Sequence, residues 1–169
     1  PLSDAAAAQV VMHLLGSASL SPSVVARIVA AAEGNPLYVE QMLSMLIDSR
    51  ALRMEDGRWV RAESYGEITV PPTIQALLEA RLDGLARADR ATVEPAAVIG
   101  LEFARPALEA LAPDALRLEM GEHLSTLARK HFIRPASSAQ AEAIYRFHNH
   151  LVRETVYNGL LKRARANLH

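Results

Sequence analysis

The N-terminal part of the chain carries apolar side chains at helical spacing, in three runs separated by residues that end or begin helices. Ser3 can cap the first run. Ser21 and Pro22 supply a cap and a first-turn proline for the second run, and Gly34 is a left-handed stop. Pro36 begins the third run, whose apolar residues fall on one face. The pattern therefore predicts a bundle of three helices.

The spacing of apolar residues then changes from one typical of helices to one typical of extended strands. The stretch ALRMEDGRWVR, residues 51–61, contains two short extended runs around Asp56-Gly57, which is a strong signal for a two-residue hairpin turn. Residues 62–72 have no regular pattern, and Val70-Pro71-Pro72 favours an extended backbone. This segment is the best candidate for a domain boundary, and it separates residues 1–70 from residues 71–149.

The second half of the chain predicts helices mixed with short strands. Thr73 can cap a helix, and a second helix follows over residues 87–99, with Pro95 inside it to kink or split it. The elements expected next are a strand at Phe103, helices at 105–111 and 115–130, strands in HFIRPA and AIYRFHN, and a helix from Leu151.

This order of elements is that of a winged-helix domain, with the last two strands as the wing and 115–130 as the recognition helix. The predicted fold is mainly α. It comprises a three-helix domain over residues 1–70, a winged-helix domain with small β-hairpins over residues 71–149, and the first helix of a following region over residues 150–169.

Composition and charge argue against nucleic acid as a partner. The chain has 169 residues, of which 18 are basic and 19 acidic, for a formal net charge of −1. Within residues 114–130 the basic and acidic side chains also balance, with Arg117, Arg129 and Lys130 against Asp114, Glu119 and Glu122. A helix that enters a groove lined with phosphates should be distinctly basic. We therefore expect a regulatory or protein-facing winged helix.

Several chemistries are missing from the sequence. There is no cysteine, which removes disulfides, thiolate metal sites and cysteine nucleophiles. The two lysines, Lys130 and Lys162, do not follow a glycine, so neither belongs to a phosphate-binding P-loop. We expect no catalytic residues in this chain. The pair His148 and His150 supplies too few ligands for a specific metal site, so we expect none.

No apolar run approaches the roughly 20 residues that a membrane helix needs. We therefore expect no membrane partner and a cytoplasmic location. The chain begins at Pro1 with neither a methionine nor a signal peptide, and we interpret it as a piece of a longer protein.

Four stretches occur in an order that points to a known family: AEGNPLYVEQML, VPPTIQALLEARLDGL, AAVIGLEF and YRFHNHLVRETVYNGLLKRARANLH. Together they resemble the STAND-type ATPase module of bacterial multidomain signalling proteins, which is fused to adenylate or guanylate cyclase domains or to LuxR-type DNA-binding domains. The resemblance covers nearly the whole chain. It implies that this chain is the lid and winged-helix portion of such a module.

The resemblance also implies partners and cofactors. In that family a P-loop nucleotide-binding domain precedes the lid, and helical repeats follow the winged helix. The full-length parent would bind ATP or ADP with Mg²⁺, would act as an ATPase, and would carry a nucleotide cyclase or a DNA-binding output domain. Because the P-loop is missing here, neither ATP hydrolysis nor a bound cofactor is expected of the fragment by itself.

Two groups of residues match nucleotide contacts of the family. Gly34, Asn35 and Pro36 match a Gly-x-Pro motif whose proline packs against adenine at the start of a lid helix. A glycine that ends one helix and a proline that begins the next are also common where no ligand binds. Without the resemblance, this purely structural interpretation would be preferred.

The second group lies at the end of the winged helix, where relatives commonly have Phe-Arg-His-x-Leu and the histidine contacts the β-phosphate of ADP. Here Phe147 and Leu151 match, but His148 replaces the arginine and Asn149 replaces the histidine. His150 follows one residue later. Either His148, Asn149 or His150 makes the phosphate contact, or this chain has lost it.

Three functions stay open from the sequence. The first is a lid and winged-helix segment that holds the ADP-bound closed state, most simply in a cyclase-linked protein, with a LuxR-type regulator as the alternative. The second is a winged-helix DNA-binding regulator. The third is a protein-interaction module with no nucleotide role.

We also expect Arg153 and Glu154 to form an exposed pair.

Overall fold

A computed structural model describes residues 3–15, 20–137 and 143–167. The chain is mainly helical, with two small antiparallel sheets. It divides into two compact units, Pro1–Arg81 and Leu82–His169. The domain division expected from the sequence, at residues 70 and 149, stays a prediction. Among the described residues, no helix combines the length and the apolar character that a membrane span requires.

Unit 1 begins with three helices, as the sequence predicts. They are α1 (Asp4–Leu15), α2 (Pro22–Ala32) and α3 (Pro36–Asp48). The Ser3 hydroxyl accepts a hydrogen bond from the backbone of Ala6, and the Ser21 hydroxyl accepts one from Val24. These bonds satisfy backbone N–H groups that the first turn of a helix leaves without partners.

A hairpin and a fourth helix complete unit 1. Strands β1 (Leu52–Glu55) and β2 (Arg58–Arg61) pair antiparallel. Asp56 and Gly57 both have positive φ, 47° and 76°, as a type I′ turn requires. After an irregular stretch, Thr73 caps α4 (Ile74–Asp83), whose last residues belong to unit 2.

The helices of unit 1 enclose one apolar core. Their inward faces bury aliphatic side chains at helical spacing, and the start of β1 and the irregular segment add one residue each. Members of this core include Val11, Ile28, Val39, Met42, Leu46, Leu52, Ile68 and Leu77.

Unit 2 contains five further helices and three strands among its described residues. The helices are α5 (Arg87–Ile99), α6 (Arg105–Leu111), α7 (Asp114–Arg117), α8 (Met120–Arg129) and α9 (His150–Asn167). The strands are β3 (Glu102–Ala104), β4 (Ile133–Ser137) and β5 (Ile144–Phe147). They form an antiparallel sheet in the order β3-β5-β4. Helix α5 packs against α8 and α9.

One helix of unit 2 differs from the prediction, and one of the two outcomes expected at Pro95, a split helix, does not occur. The helix expected over 115–130 is interrupted at Leu118 and Glu119, and its longer part is α8. Leu118 keeps a helical backbone, but Glu119 departs from it with φ of −103° and ψ of 10°. Because Leu118 is 96% exposed, no apolar packing supports a continuous helix there. In contrast, Pro95 does not split α5. Pro95 deprives the Ala91 carbonyl of its usual N–H partner, but the neighbouring turns keep theirs.

Candidate functional site

The first candidate group is the corner between α2 and α3, formed by Gly34, Asn35 and Pro36. Helix α2 ends in a left-handed backbone, with φ of 49° at Glu33 and 75° at Gly34. Asn35 has an extended backbone, and its Oδ1 accepts a 3.0 Å hydrogen bond from the Leu37 N–H. The corner is therefore fixed by its own backbone geometry and by a side-chain cap.

Pro36 occupies the first turn of α3, and its ring is exposed. Nothing in the core needs this ring, whereas Tyr38 in the same turn is 1% exposed. The Tyr38 hydroxyl donates to the Pro71 carbonyl, and burial raises the pKa of Tyr38 to about 12. The corner thus has an exposed, rigid apolar ring at Pro36 and a firmly packed side chain, Tyr38, in the same helical turn. A rigid apolar ring of this kind suits stacking of a planar apolar group.

The second candidate group is the junction between β5 and α9, formed by His148, Asn149 and His150. Asn149 caps α9, because its Oδ1 accepts a 3.0 Å hydrogen bond from the Val152 N–H. The Nδ2 of the same side chain is buried and has no hydrogen-bond partner within the described chain. A phosphate oxygen could pair with that N–H only after a neighbouring group moved. Asparagine is a preferred N-cap residue, so this role is one that its position just before α9 favours.

The two histidines of the junction have different surroundings. The His148 backbone N–H donates to the Phe132 carbonyl, and its ring meets the edge of the His131 ring with centroids 5.9 Å apart. His150 is exposed in the first turn of α9. N–H groups at a helix N-terminus favour anions, and the exposed His150 side chain is accessible to an anion at this end of α9.

His131 beside this junction has an unusual backbone for its residue type. It adopts φ of 57° just after α8. The His131 N–H donates to the Ala128 carbonyl, and the Phe132 N–H donates to Leu127. This is a Schellman C-terminus with histidine at the position usually held by glycine. A non-glycine residue there costs conformational energy, which the sequence did not indicate.

Arg153 and Glu154 do not form the exposed pair expected from the sequence. Glu154 is exposed, but the Arg153 Nε donates a 3.0 Å hydrogen bond to the Ala97 carbonyl. The guanidinium also lies 5.5 Å from the centre of the Tyr157 ring. Ala97 lies in the last turn of α5, where carbonyls have no helical partner. Arg153 therefore caps α5 and fastens α9 to it.

A buried His–carboxylate pair also escaped the sequence analysis. On α8, His123 Nδ1 lies 2.8 Å from Asp89 Oδ1 on α5, and Asp89 is 6% exposed. His123 Nε2 is 3.9 Å from a Glu119 oxygen. The pair joins two helices of unit 2 through a polar contact.

Unit 1 contains a second buried polar cluster, centred on Arg81 of α4. The Arg81 guanidinium donates to Gln41 Oε1 and, at 3.0 Å, to Asp48 Oδ2, both on α3. Arg81 is 5% exposed and Gln41 fully buried. Burial lowers the pKa of Arg81, and the hydrogen bond to Asp48 acts in the opposite direction. The cluster keeps an arginine charged inside the unit.

An open groove of about 380 Å³ lies in unit 2, away from the candidate residues. Its walls are mainly apolar and come from α5, the α6–α7 connection and α9. The lining residues are Ala91, Glu94, Pro95, Val98, Leu111, Pro113 and Leu160. Among the described residues, no three His, Asp or Glu side chains are grouped so that they could hold a metal ion.

Comparisons with known proteins give two matches. Residues 3–60 match a family described as a domain of unknown function (DUF8739), and this match lies within unit 1. An uncharacterized protein of Rhizobium meliloti (strain 1021) is 28% identical over 136 residues. That alignment covers 80% of this chain but only 12% of the relative. No solved structure matches the chain significantly.

Proposed function

We propose that this chain is the helical lid and winged-helix segment of a nucleotide-switch ATPase within a multidomain signalling protein. In this role the segment closes over ADP, which is bound with Mg²⁺ by an upstream P-loop domain of the same polypeptide. The Gly34–Pro36 corner contacts the adenine, and the 148–150 junction contacts the phosphate end. The segment itself performs no chemistry.

The observation that carries the proposal is the exposed ring of Pro36 on a rigid corner. A proline in the first turn of a helix usually needs no functional explanation. Here the backbone of Glu33 and Gly34 and the cap by Asn35 already define the corner. The ring is left as an apolar surface that the fold does not use, and adenine is a flat partner of matching chemistry.

The arrangement of unit 2 supports the winged-helix part of the proposal. Its helices and strands follow the expected order, and β4 and β5 are adjacent antiparallel strands that can form a wing. Helix α8 carries one carboxylate, Glu122, and one guanidinium, Arg129, so it is as neutral as the longer segment counted from the sequence. A neutral helix favours a protein-facing module over a DNA reader.

The length of the relative supports a multidomain parent. The chain spans 12% of the curated protein it matches, so that protein has ample room for a nucleotide-binding core and an output domain. A cyclase-linked parent is our first choice, following the resemblance of the Phe147–Leu151 stretch. A LuxR-type regulator is the alternative, and the parent gene would distinguish them.

Within the junction, His150 is our choice for the phosphate contact. It is exposed in the first turn of α9, whereas the Asn149 Nδ2 group, which is the donor that a phosphate oxygen would need, is buried. A charge-assisted hydrogen bond from histidine to phosphate is worth up to about 3 kcal/mol, which corresponds to roughly a hundredfold in dissociation rate.

The test is ADP dissociation from the full-length parent, measured with a fluorescent ADP analogue. Pro36→Ala should weaken adenine binding, and His150→Ala should speed ADP release. Pro22→Ala is a matched control, since Pro22 is also an exposed first-turn proline, on α2. It should leave the rate unchanged.

Three results would contradict the proposal or one of its two contacts. A parent gene without a P-loop upstream would remove the nucleotide role altogether. Equal ADP release from Pro36→Ala, Pro22→Ala and the unmodified protein would show that the corner only ends one helix and begins the next. Unchanged release from a His148, Asn149 and His150 triple alanine variant would show that the junction has lost the phosphate contact.

A further inference from the structure

Helix α4 and the residues just before it are fastened to α3 by polar contacts at both ends. At the beginning, the Tyr38 hydroxyl donates to the Pro71 carbonyl. At the end, Arg81 donates to Gln41 and Asp48. All five residues belong to unit 1. We call these two sets of polar contacts the ties. The apolar contacts of α4 with the core lie between them.

Both ties are buried, so water does not readily replace them. Tyr38 is 1% exposed, Arg81 5% and Gln41 0%. Opening either tie would leave a buried donor or acceptor without its partner, which is costlier than exchanging a surface hydrogen bond for water. The ties should therefore hold α4 against α3 more firmly than the apolar contacts could alone.

Helix α3 also begins at the candidate adenine corner. Pro36 and Tyr38 lie in the same first turn of α3, so the residue that holds Pro71 is two positions along the helix from the exposed proline. The far end of α4 continues along the chain into unit 2, beginning at Leu82. Helix α3 thus connects the corner, at its first turn, with α4, the helix through which the chain passes into unit 2.

We propose that Tyr38 and Arg81 are positioning residues that make α3 and α4 move as one body, so that a change at the Gly34–Pro36 corner reaches the point where unit 2 begins. This inference rests on the proposed function only for the cause of that change, the arrival of adenine. The mechanical link itself is a property of unit 1.

The link can be tested without nucleotide, by hydrogen exchange and mass spectrometry on the 169-residue chain. Pro36→Gly loosens the corner by adding backbone freedom and an N–H group. With both ties present, it should speed exchange of the α4 amides about fivefold. In a Tyr38→Phe/Arg81→Met background, α4 should already exchange faster, and Pro36→Gly should add nothing further.

Arg27→Met is the control for loss of an arginine from the same unit. Arg27 is exposed, and its guanidinium lies 3.9 Å from a Glu67 carboxylate oxygen. In that background the effect of Pro36→Gly on α4 should persist in full. An effect of the same size in the Tyr38→Phe/Arg81→Met background would overturn the proposal.

Arg81→Lys keeps the test decisive if the double variant fails to fold. Lysine retains the positive charge beside Asp48, but it lacks the planar fork that donates to Asp48 and Gln41 together. The response of α4 to Pro36→Gly should then be clearly smaller than in the unmodified chain. A full response with lysine would show that the geometry of Arg81 does not matter, and the proposal would fail.

A second arm uses ADP and the full-length parent, and it separates this inference from the proposed function. ADP should slow α4 exchange in the unmodified parent, and this protection should disappear in Tyr38→Phe/Arg81→Met while ADP stays bound. If ADP binds and protects α4 equally in both proteins, the link fails and the proposed function stands. If ADP does not bind, the proposed function fails, and the nucleotide-free experiment still decides the link.

Discussion

The two candidate nucleotide contacts are built in opposite ways. At the 34–36 corner the backbone and the Asn35 cap define the geometry, and the Pro36 ring is exposed and unused by the core. At the 148–150 junction the central side chain, Asn149, holds the first turn of α9, and the flanking residue Phe147 is fully buried. Substitutions at the corner should therefore change nucleotide affinity without changing folding stability, whereas substitutions at the junction should change both. A loss of nucleotide affinity in a junction variant needs a stability measurement before it can be interpreted.

The largest effect should come from Phe147→Ala, at the base of the junction. Phe147 is 0% exposed, and its ring lies 5.8 Å from that of Phe103. Removing the ring leaves a cavity and should lower the free energy of unfolding by about 3–5 kcal/mol. Urea unfolding followed by circular dichroism would measure this loss. Leu151→Ala, at a half-buried position, should cost clearly less. Equal losses would mean that the junction is not anchored by Phe147.

Asn149→Ala should have an intermediate effect. It removes the acceptor for the Val152 N–H and should destabilise the chain by about 1 kcal/mol. Asn149→Ser keeps a capping oxygen but no amide, so it should be nearly neutral for stability. Thermal unfolding of the two variants gives the comparison. A serine variant as unstable as the alanine variant would show that the amide group, not the cap, matters there.

His131→Gly should stabilise the chain by up to about 1 kcal/mol. Glycine adopts the positive φ of 57° at this Schellman position without the steric cost that histidine incurs. His131→Ala is the matched control, since it removes the imidazole but keeps the Cβ atom, and it should not stabilise. Chemical denaturation measures both. Stabilisation by alanine as well would point to the edge contact with His148 and away from the backbone.

The smallest effect should come from Pro36→Ala at the corner. Alanine also suits the first turn of a helix, so we expect a change in the free energy of unfolding within about 0.5 kcal/mol. Pro22→Ala at the start of α2 should behave alike. Differential scanning calorimetry of both variants is sufficient. A loss above about 2 kcal/mol for Pro36→Ala alone would mean that the ring belongs to the fold, and the contrast with the junction would disappear.

The sequence by itself determined most of the local structure. Caps and stops are chemical properties of short stretches, so Ser21-Pro22, Gly34 and Asp56-Gly57 located two helix boundaries and a hairpin correctly. The same kind of signal left open whether Pro95 kinks or splits α5, and the helix is not split, because the cost of one missing hydrogen bond is local while the packing of α5 involves the whole helix. It also overlooked the interruption at Leu118, where no glycine or proline marks the break.

Only the tertiary structure decided which side chains are available. Arg81 joins Gln41 and Asp48 across unit 1, Arg153 caps a helix distant in sequence, and Asp89 meets His123, because folding brings together residues whose spacing along the chain carries no signal. The exposure of Pro36 has the same origin. Local sequence fixes what the backbone can do within a few residues, whereas burial depends on how whole faces pack, and burial determines whether a side chain stabilises the fold or is free to bind.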